Sequence, residues 1–439
     1  MVNDRLLNAV PAEALSILEV GCGTGALGLA LKQAGPAGRR VVGIEPDEPA
    51  AAAARAGLDE VQCVDLVSDF PRIEAAGFDC VILNGILERV PDPLALVQHL
   101  RPALKEGGLL FCSVSNAQNF AFISALFTND FQYRESGIPD RRHLRLFTLS
   151  TIYKLLLDAE FLPQLIHTAV TPCDPELWQA IIPFANYFNI DPHHIHVNLS
   201  AYQYVLAARP LPAVPQADEP MSFVACSNDP EQLANNLAAS PCFGSGRHEL
   251  IVITDATSAG QGLNEGLSRA KHRLVVAAHQ DVYIPHGWPA RFQHQWALAE
   301  QRFGALGVAG VFGVSDQGGV TLRTGQAINA GQLIASGFGL PAEASSLDEI
   351  VLALPKETAL RFDPVVGWHN YGTDIVLESH RAGLPAAILE APCLHNTRFA
   401  GLRQDFLDSA QALSRKWEQK RPFHTTCVRV DAEGNLFGW

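Results

Sequence analysis

The sequence predicts an α/β protein of two domains, each with a parallel sheet covered by helices. Short β-rich apolar runs alternate with helical patterns in two stretches, from about residue 15 to 208 and from about 222 to 394. Between them, residues 209–220 hold four prolines and show no apolar periodicity, which is typical of an extended linker. We therefore expect one domain over residues 1–208, a linker over 209–220 and a second domain over 221–439.

Buried strands are expected in both halves. Those of the first half are Ser16–Val20, Arg40–Ile44, Asp79–Leu83, Leu109–Val114 and, as a late edge strand, Tyr202–Ala207. Those of the second half are Ser222–Cys226, Glu249–Thr254, Arg273–Ala278 and Leu306–Phe312. A helix before the fourth strand is predicted to end at Gly107 and Gly108, and it carries apolar residues at helical spacing: Leu94, Val97, Leu100 and Leu104.

The composition favours a folded protein and disfavours nucleic acid as a partner. Hydrophobic residues make up 48% of the chain and charged residues 18%, a balance typical of large buried cores. The formal net charge is −14, so a basic surface able to bind phosphate backbones is not expected. The local basic stretch of Arg141, Arg142 and Arg145 does not reverse this expectation.

Cysteine usage and the absence of long apolar runs predict a cytoplasmic protein. The nine cysteines include no CxxC pair, which indicates reduced and mostly buried thiols. The first ten residues include Asp4 and Arg5 and lack the apolar region of a secretory signal. No run approaches the roughly 20 apolar residues that span a bilayer, so no integral membrane segment is expected and peripheral association stays open.

A glycine-rich turn follows the first predicted strand, within residues 17–28. Its glycines allow a tight turn and a close approach of the backbone to a ligand. Gly23, Gly25 and Gly28 also fit the GxGxxG pattern of dinucleotide sites, which keeps an NAD-dependent oxidoreductase open as an alternative. Glu45 ends the second strand, where a carboxylate can accept both hydroxyls of a ribose in either class of ligand.

Further motifs distinguish the two classes of ligand. Glu19 precedes the first glycine by two positions, and Asp65 follows the segment Gln62–Val64. Residues 78–93 add a longer motif that begins with an apolar strand. With these motifs in order, residues 14–165 resemble the class I S-adenosylmethionine-dependent methyltransferases of the small-molecule branch. The resemblance implies a Rossmann-like sheet and S-adenosylmethionine as the cofactor.

The same resemblance assigns positions around the cofactor. It implies that the glycines face its methionyl part and that Glu45 holds its ribose, with Glu19 beside them. Asp65 would meet the adenine amino group, and Asn84 would line the pocket near the donor methyl. The implied glycines are Gly21, Gly23 and Gly25.

The acceptor side departs from the family pattern at one place. Relatives commonly have Glu-His where this chain has Glu88 and Arg89. Methyl transfer from a sulfonium is an in-line displacement that depends largely on positioning, so a dedicated base is not required for every acceptor. A hydroxyl acceptor would need one, and His143 is the candidate, with a structural histidine as the alternative interpretation.

Polar side chains also follow strand ends in the second half. Asp255 follows one buried strand, and His279 and Asp281 follow the next. Ligands of open α/β sheets collect at such carboxyl ends. Residues 222–396 resemble the GT-A glycosyltransferases of the family 2 type through motifs in a fixed order: residues 279–288, 347–349, 361–363, 369–375 and 394–395.

This second resemblance implies a GT-A-like α/β sheet, a nucleotide-sugar donor and a divalent cation, Mg²⁺ or Mn²⁺. Asp281 and His395 would hold the cation, and Asp255 would bind the nucleoside. His279 stands where the family has the first acid of its Asp-x-Asp motif. Asp374 falls at the position of the general base, with the start of a helix as its alternative role.

Together the motifs predict a bifunctional enzyme. It would transfer a methyl group from S-adenosylmethionine and a sugar from a nucleotide sugar to a small-molecule or glycan acceptor. The resemblance points to bacterial surface glycan or glycoprotein assembly as the setting. A methyltransferase with a non-catalytic glycan-binding C-terminal domain is the first alternative, and the oxidoreductase is the second.

Overall fold

The computed structural model describes residues 3–438, apart from residues 68, 130, 173–174, 188–189, 216–217, 337–338 and 399–403. The chain divides into two compact units, Met1–Pro212 and Ala213–Trp439. Within the described ranges, no helix is both long enough and apolar enough to cross a membrane.

The first unit alternates helices and strands along most of its length. Its helices are α1 (Asp4–Ala9), α2 (Ala26–Ala34), α3 (Glu48–Ala54), α4 (Pro93–Leu100), α5 (Phe120–Phe127), α6 (Leu149–Asp158), α7 (Pro175–Tyr187) and α8 (Pro192–Ser200). Its strands are β1 (Ser16–Val20), β2 (Arg40–Glu45), β3 (Glu60–Cys63), β4 (Phe78–Asn84), β5 (Leu104–Ser115), β6 (Phe161–Val170) and β7 (Ala201–Pro210).

The strands of the first unit form one sheet in the order β3-β2-β1-β4-β5-β7-β6. Strands β1 to β5 pair in parallel, whereas β7 runs antiparallel to both of its neighbours. All five residues of β1 are buried, as expected for a central strand covered on both faces. The carboxyl ends of β1 to β4 therefore meet at one edge of the sheet, which is where the glycine-rich turn lies.

For the first unit, two predictions are wrong in detail and one strand was missed. Strand β7 is not at the edge, because β6 pairs with its outer side. Strand β6 was missed since Pro163 and several polar residues interrupt its apolar pattern, and an edge strand tolerates both. The expected linker begins too early, because Arg209 and Pro210 at the end of β7 pair with residues 161–162 of β6.

The helix before β5 is also shorter than predicted. Helix α4 ends at Leu100, and Pro102 lies in a short 3₁₀ turn, where its missing N–H cannot continue the α-helix. Leu104 instead begins β5 and lies opposite Phe78. The Gly107–Gly108 pair lies inside that strand and does not end the helix.

The second unit has five helices in its described part: α9 (Pro230–Asn235), α10 (Ala259–Arg269), α11 (Trp288–Phe303), α12 (Tyr371–Arg381) and α13 (Gln404–Lys416). Strands β8 to β15 are Met221–Cys226, Glu249–Ile253, Leu274–Ala278, Val282–Tyr283, Val308–Gly310, Phe312–Gln317, Val320–Asn329 and Gln332–Ser336. Strands β16 to β23 are Ala342–Glu343, Ser346–Leu347, Val351–Pro355, Ala386–Ile388, Leu394–His395, Phe423–His424, Val428–Val430 and Leu436–Gly438.

The main sheet of the second unit has the order β16-β19-β12-β18-β10-β8-β9. It is mixed, so the expectation of a parallel sheet is wrong here. Strand β18 runs antiparallel to β10 and β12, because the chain reaches it from a second, smaller sheet without a helical crossover. The predicted strand Leu306–Phe312 is likewise divided: β12 ends at Gly310 in the main sheet, and Phe312 begins β13 in the smaller one.

The smaller sheet brings distant segments to the carboxyl edge of the main one. Strands β8, β9 and β10 are parallel, so the residues after them share one edge. Strand β11 follows β10 closely and pairs with β20, which sets Val282 opposite His395. Strand β20 also pairs with β14, which sets Asn329 beside the same histidine. A site at this edge therefore draws on residues far apart in sequence.

Candidate functional site

The glycine-rich turn of the first unit joins β1 to α2 in a left-handed backbone conformation. Gly21, Gly23 and Gly25 have φ values of 76°, 56° and 79°, which residues with a Cβ rarely adopt. The amides of Gly21 and Cys22 donate hydrogen bonds to the carbonyl of Ile44 at 2.8 and 3.0 Å. The turn is thereby fixed against the end of β2.

The surroundings of Gly21 and Gly23 differ. A Cβ on Gly21 would lie 3.0 to 3.2 Å from atoms of the Ile86 side chain, so Ile86 would have to shift, in addition to the strain of the left-handed backbone. A Cβ on Gly23 would have no described atom within 4 Å. The backbone at Gly23 therefore faces open space, as a surface for a ligand requires.

Glu45 is fixed on this turn by its carboxylate. One oxygen, Oε2, accepts the amide of Gly23 at 2.7 Å, and Oε1 accepts the amide of Asp47 at 3.1 Å. The side chain is buried, with 8% of its surface exposed. A carboxylate can accept about four hydrogen bonds, so two sites remain for hydroxyl groups of a ligand.

Glu19 lies in β1 beneath the turn and is 2% exposed. Burial raises the pKa of its carboxyl to about 8, since the amide of Gly28 opposes this shift only in part and the charge of Glu45 adds to it. Its Oε2 atom has no hydrogen-bond partner among the described residues. At neutral pH the side chain is therefore largely protonated and can donate a hydrogen bond.

Asp65 and Asn84 lie beyond the ends of neighbouring strands. Asp65 is exposed, two residues after Cys63, which pairs with Glu45, and its Oδ1 accepts the amide of Val67 at 3.0 Å. Asn84 is the last residue of β4. The structure thus brings Glu19, Glu45, Asp65 and Asn84 to one edge of the sheet.

The Asn84 side chain is held from two directions. Its Oδ1 atom accepts hydrogen bonds from Ser113 Oγ at 2.9 Å and from Asn3 Nδ2 at 3.1 Å. Ser113 lies on the adjacent strand β5, and Asn3 precedes α1. These contacts orient the amide group before any ligand arrives.

His143 is half-buried on the segment that follows α5. Its Nδ1 lies 2.9 Å from the carbonyl oxygen of Ile138. A carbonyl can only accept, so Nδ1 carries a hydrogen and the Nε2 of a neutral ring is left as an acceptor. This is the tautomer that a general base would need.

A carboxyl that received no role from the sequence lies nearby. Glu88 is 1% exposed; its Oε1 accepts the amide of Ser115 at 2.8 Å, and its Oε2 has no partner among the described residues. Burial raises its pKa, and the amide of Ser115 opposes the shift. Its backbone carbonyl accepts the amides of Leu144 and Arg145 at 2.7 and 3.0 Å, which ties the His143 segment to the end of β4.

Arg89, which replaces the histidine of relatives, belongs to an ion-pair network. It lies 3.5 Å from the carboxylate of Asp140, which also pairs with Arg142. The hydrogen bonds from Arg142 hold the pKa of the buried Asp140 at about 2, against the opposing effect of its burial. Arg89 therefore anchors the segment before His143 and cannot act as a base.

In the second unit, His279, Asp281 and His395 form one cluster. Their ligand atoms all lie within 4.8 Å of one another. His279 Nδ1 is 3.4 Å from His395 Nε2, which is 3.2 Å from Asp281 Oδ1. Two imidazoles and a carboxylate are a donor set that suits divalent ions of the first transition row. The structure thus brings together the predicted metal ligands Asp281 and His395 and adds His279 to them.

The opposite side of each cluster residue is occupied by a neutral polar group. His395 Nδ1 lies 2.9 Å from Asn329 Oδ1, and His279 Nε2 lies 3.0 Å from the hydroxyl of Tyr371. Gln232 Nε2 donates to Asp281 Oδ2 at 3.4 Å. Partners of this kind orient the ligands of metal sites and set the tautomers of histidines.

The protonation of the cluster follows from its burial and its charges. Burial lowers the pKa of His279 to about 4, assisted by the charge of His395. Burial would raise the pKa of Asp281, but His395 outweighs it and holds the value at about 2. Burial would lower the pKa of His395, and Asp281 reverses the shift and raises it. The ring of His279 is therefore neutral at physiological pH.

The other two predicted residues of this unit do not join the cluster. Asp255 is exposed two residues after β9, where its Oδ2 accepts the hydroxyl of Thr254 at 3.3 Å. Asp374 is fully buried in the first turn of α12. Its Oδ1 accepts from Trp417 Nε1 at 2.7 Å, and Lys416 Nζ lies 2.8 Å from the same oxygen and 3.0 Å from Oδ2.

A second carboxyl without a predicted role lies close to the cluster. Glu349 precedes β18; its Oε1 accepts the amide of Gly372 at 3.4 Å, and its charge acts on His395 and Tyr371. Enclosure by protein raises its pKa to about 8, and the charge of Asp348 adds to the shift. The motif at residues 347–349 was the sequence signal for it.

The fold and site of the first unit define a class of protein. A Rossmann-like sheet with a reversed β7 carries a glycine turn and an acidic residue at the end of β2. The family model described as a methyltransferase domain matches residues 3–163, within this unit. The first unit therefore contains a class I S-adenosylmethionine-dependent methyltransferase domain.

Curated relatives of the chain carry the name ubiquinone biosynthesis O-methyltransferase. The protein of Xylella fastidiosa strain 9a5c is 31% identical over 136 residues, which are 30% of this chain and 54% of that protein. That of Xanthomonas campestris strain B100 is 34% identical over 113 residues, 25% of this chain and 47% of that protein. The chain thus spans about half the length of the curated relatives it matches.

Solved structures that match the chain include two S-adenosylmethionine-dependent methyltransferases. The one from Mesorhizobium loti is 19% identical with a TM-score of 0.33, and the match covers 46% of this chain and 96% of that protein. The one from Archaeoglobus fulgidus is 15% identical with a TM-score of 0.33, and the match covers 47% of this chain and 91% of that protein.

Proposed function

We propose that the first unit binds S-adenosylmethionine and transfers its methyl group to a hydroxyl of a small-molecule or glycan acceptor. The observation that carries the proposal is the Glu45 carboxylate, held on the amide of Gly23 beside three left-handed glycines. The site fits the cofactor, because Gly23 opens on free space and Glu45 retains acceptor sites for two ribose hydroxyls.

The remaining predicted residues complete this cofactor site in the proposal. Asp65 would accept the adenine amino group, and Asn84, already oriented by two hydrogen bonds, would line the pocket near the methyl. Glu19 would keep its proton and support the turn from below. The bound cofactor supplies an electrophilic methyl group on a sulfonium.

The acceptor chemistry requires a proton to leave. Transfer of the methyl group to the acceptor oxygen would break the sulfur–carbon bond of the cofactor, release a neutral thioether and leave the hydroxyl proton to be taken up by the protein. We assign His143 Nε2 as the base that takes the hydroxyl proton, since the Ile138 carbonyl holds the ring hydrogen on Nδ1. The O-methyltransferase name of the curated relatives supports a hydroxyl as the acceptor group.

Calorimetric titration of the full-length chain with S-adenosylhomocysteine and, separately, with NAD tests this function. We expect one site for S-adenosylhomocysteine, lost in Glu45→Ala, and no heat from NAD. Binding of NAD alone would instead establish the oxidoreductase alternative. Binding of neither ligand would refute the cofactor site altogether.

A second function is favoured by the cluster in the second unit. We propose that this unit transfers a sugar from a nucleotide-sugar donor, with Asp281 and His395 as cation ligands and Asp255 as the nucleoside-binding acid. The donor set fits a divalent ion, because two nitrogen atoms and a carboxylate oxygen converge within 4.8 Å. A cation held there would neutralise the charge that develops on a departing diphosphate.

The general base of this second reaction needs a carboxylate that can reach an acceptor. Asp374 was the predicted base, but Lys416 and Trp417 engage both of its oxygens in a fully buried position. We therefore assign the role to Glu349, which is partly exposed near the cluster. With a pKa of about 8, its ionised form would be a stronger base than an ordinary carboxylate.

Release of free sugar or of glycosylated product from nucleotide sugars tests this second function. We expect turnover with Mn²⁺ that is lost in Asp281→Ala and Glu349→Gln and retained in Asp408→Asn, a control on the exposed face of α13. Glycan binding without turnover would instead support a non-catalytic recognition module. A bacterial surface glycan or glycoprotein is the acceptor class that we would assay first.

A further inference from the structure

We infer that His279 is a third protein ligand, so that the cluster is a preformed site for one divalent transition-metal ion, such as Mn²⁺, that binds before any nucleotide. The inference deepens the proposed function of the second unit and rests on it for the location of the site. A site with only two protein ligands would instead depend on the nucleotide for much of the coordination of the metal ion.

The spacing of the donor atoms supports three ligands. Two nitrogens bound to one tetrahedral ion at about 2.0 to 2.1 Å lie about 3.4 Å apart. His279 Nδ1 and His395 Nε2 are 3.4 Å apart, and Asp281 Oδ1 is 3.2 Å from His395 Nε2. Two of the three ligand-to-ligand distances of a coordination sphere therefore already exist, and the third pair, His279 and Asp281, has ligand atoms within 4.8 Å.

The outer contacts support the same assignment. A metal-bound imidazole normally gives its other nitrogen to a hydrogen-bond partner. His395 does so with Asn329 and His279 with Tyr371, at 2.9 and 3.0 Å. Each ring thus has one nitrogen fixed outward and one directed at the cluster. A histidine that only filled space would not need this arrangement.

The kind of donor determines the kind of ion. Mg²⁺ prefers oxygen ligands and keeps several waters, whereas imidazole favours Mn²⁺, Fe²⁺, Co²⁺ and Zn²⁺ over it. Replacement of an oxygen ligand by His279 should therefore shift the site away from Mg²⁺. Three protein ligands leave one open position on a tetrahedral ion and three on an octahedral ion, and these positions can take a diphosphate oxygen or water.

Metal binding to the full-length chain, stripped by a chelator and free of nucleotide, tests the inference. We expect calorimetry to show one Mn²⁺ per chain bound at least about tenfold more tightly than Mg²⁺, and pulsed EPR to show couplings from two imidazole nitrogens. His279→Ala should weaken Mn²⁺ about tenfold or more and leave one coupling. His272→Ala, a half-buried histidine outside the cluster, should change neither.

Two further variants keep the test decisive if His279→Ala fails to fold. Tyr371→Phe keeps the aromatic ring but removes the hydroxyl at His279 Nε2, and should weaken Mn²⁺ about tenfold. His279→Asp should narrow the preference for Mn²⁺ over Mg²⁺. Unchanged Mn²⁺ affinity and two couplings in His279→Ala, or equal wild-type affinities for the two ions, would overturn the inference.

Failure of the proposed sugar transfer can be distinguished from failure of the three-ligand metal site. A chain that binds Mn²⁺ through His279 but no nucleotide diphosphate would refute the proposed donor site and leave the third ligand in place. A chain that binds nucleotide with Mn²⁺, yet binds the ion alone equally well without His279, would refute the third ligand and leave the proposed donor site in place.

Discussion

Glu45 Oε2 accepts the backbone amide of Gly23 at 2.7 Å, so the end of β2 and the turn after β1 are joined through the carboxylate assigned to the ribose. The same group thus holds the turn and presents its remaining lone pairs to a ligand. Its removal should affect binding through both effects.

Glu45→Gln should weaken the binding of S-adenosylhomocysteine about 10- to 100-fold, because charge-assisted hydrogen bonds are worth about 1.5 to 3 kcal/mol. Calorimetric titration measures the change. Glu60→Gln is the control, since Glu60 is an exposed carboxylate on β3 that pairs with Arg40. Equal affinity in the two variants would exclude Glu45 as a ribose ligand.

Gly21→Ala should destabilise the first unit by about 1 to 3 kcal/mol, since it adds a contact with Ile86 to the strain of a left-handed φ. Gly38→Ala isolates the strain alone, because Gly38 has φ 85° and no described atom within 4 Å of an added Cβ. Denaturant unfolding of both variants gives the difference. Equal losses of stability would show that the Ile86 contact is unimportant.

The sequence allowed the strand-to-turn unit to be predicted because its signals are local. The apolar run of β1, the three glycines and Glu45 are all contained within residues 16–45. The set of five predicted strands missed β3 and β6. These two strands carry weak signals, since β3 is short and partly exposed and β6 contains Pro163.

The surroundings of the second site could not be predicted in the same way. His279 and Asp281 were found as a motif, but Asn329 reaches His395 only through the pairing of β14 with β20. The Lys416 and Trp417 contacts of Asp374 likewise come from a helix more than 40 positions away in sequence. Such contacts depend on tertiary pairing, which a residue pattern does not specify.

Asp374→Asn should destabilise the second unit by about 2 to 4 kcal/mol, because it leaves the Lys416 ammonium without one partner of a buried ion pair. Lys416 also lies 2.9 Å from Asp363 and from Glu378, so the loss should be partial. Chemical denaturation measures it, with Asp408→Asn as the exposed control on α13. Lost sugar transfer with unchanged stability would instead restore Asp374 as the general base.

Glu19 makes the stability of the first unit depend on pH. Its pKa is about 8 in the folded protein against 4.5 in the reference state, so the folded protein retains a proton that the unfolded chain releases between these values. This contribution to stability is complete below about pH 4.5 and falls by roughly 1.4 kcal/mol per unit as the pH rises towards 8.

Glu19→Gln keeps the shape of the side chain and cannot ionise. Its free energy of unfolding, relative to the wild type, should therefore increase steadily from pH 5 to pH 8, and the increase should stop above pH 8. Denaturant titrations at each pH measure the difference, in which the other titrating groups cancel. Glu60→Gln, at an exposed carboxyl of β3, is the control variant for the same measurement. A flat difference for Glu19→Gln would mean that Glu19 is ionised in the fold, and its unpartnered Oε2 would then need a hydrogen-bond donor from the ligand.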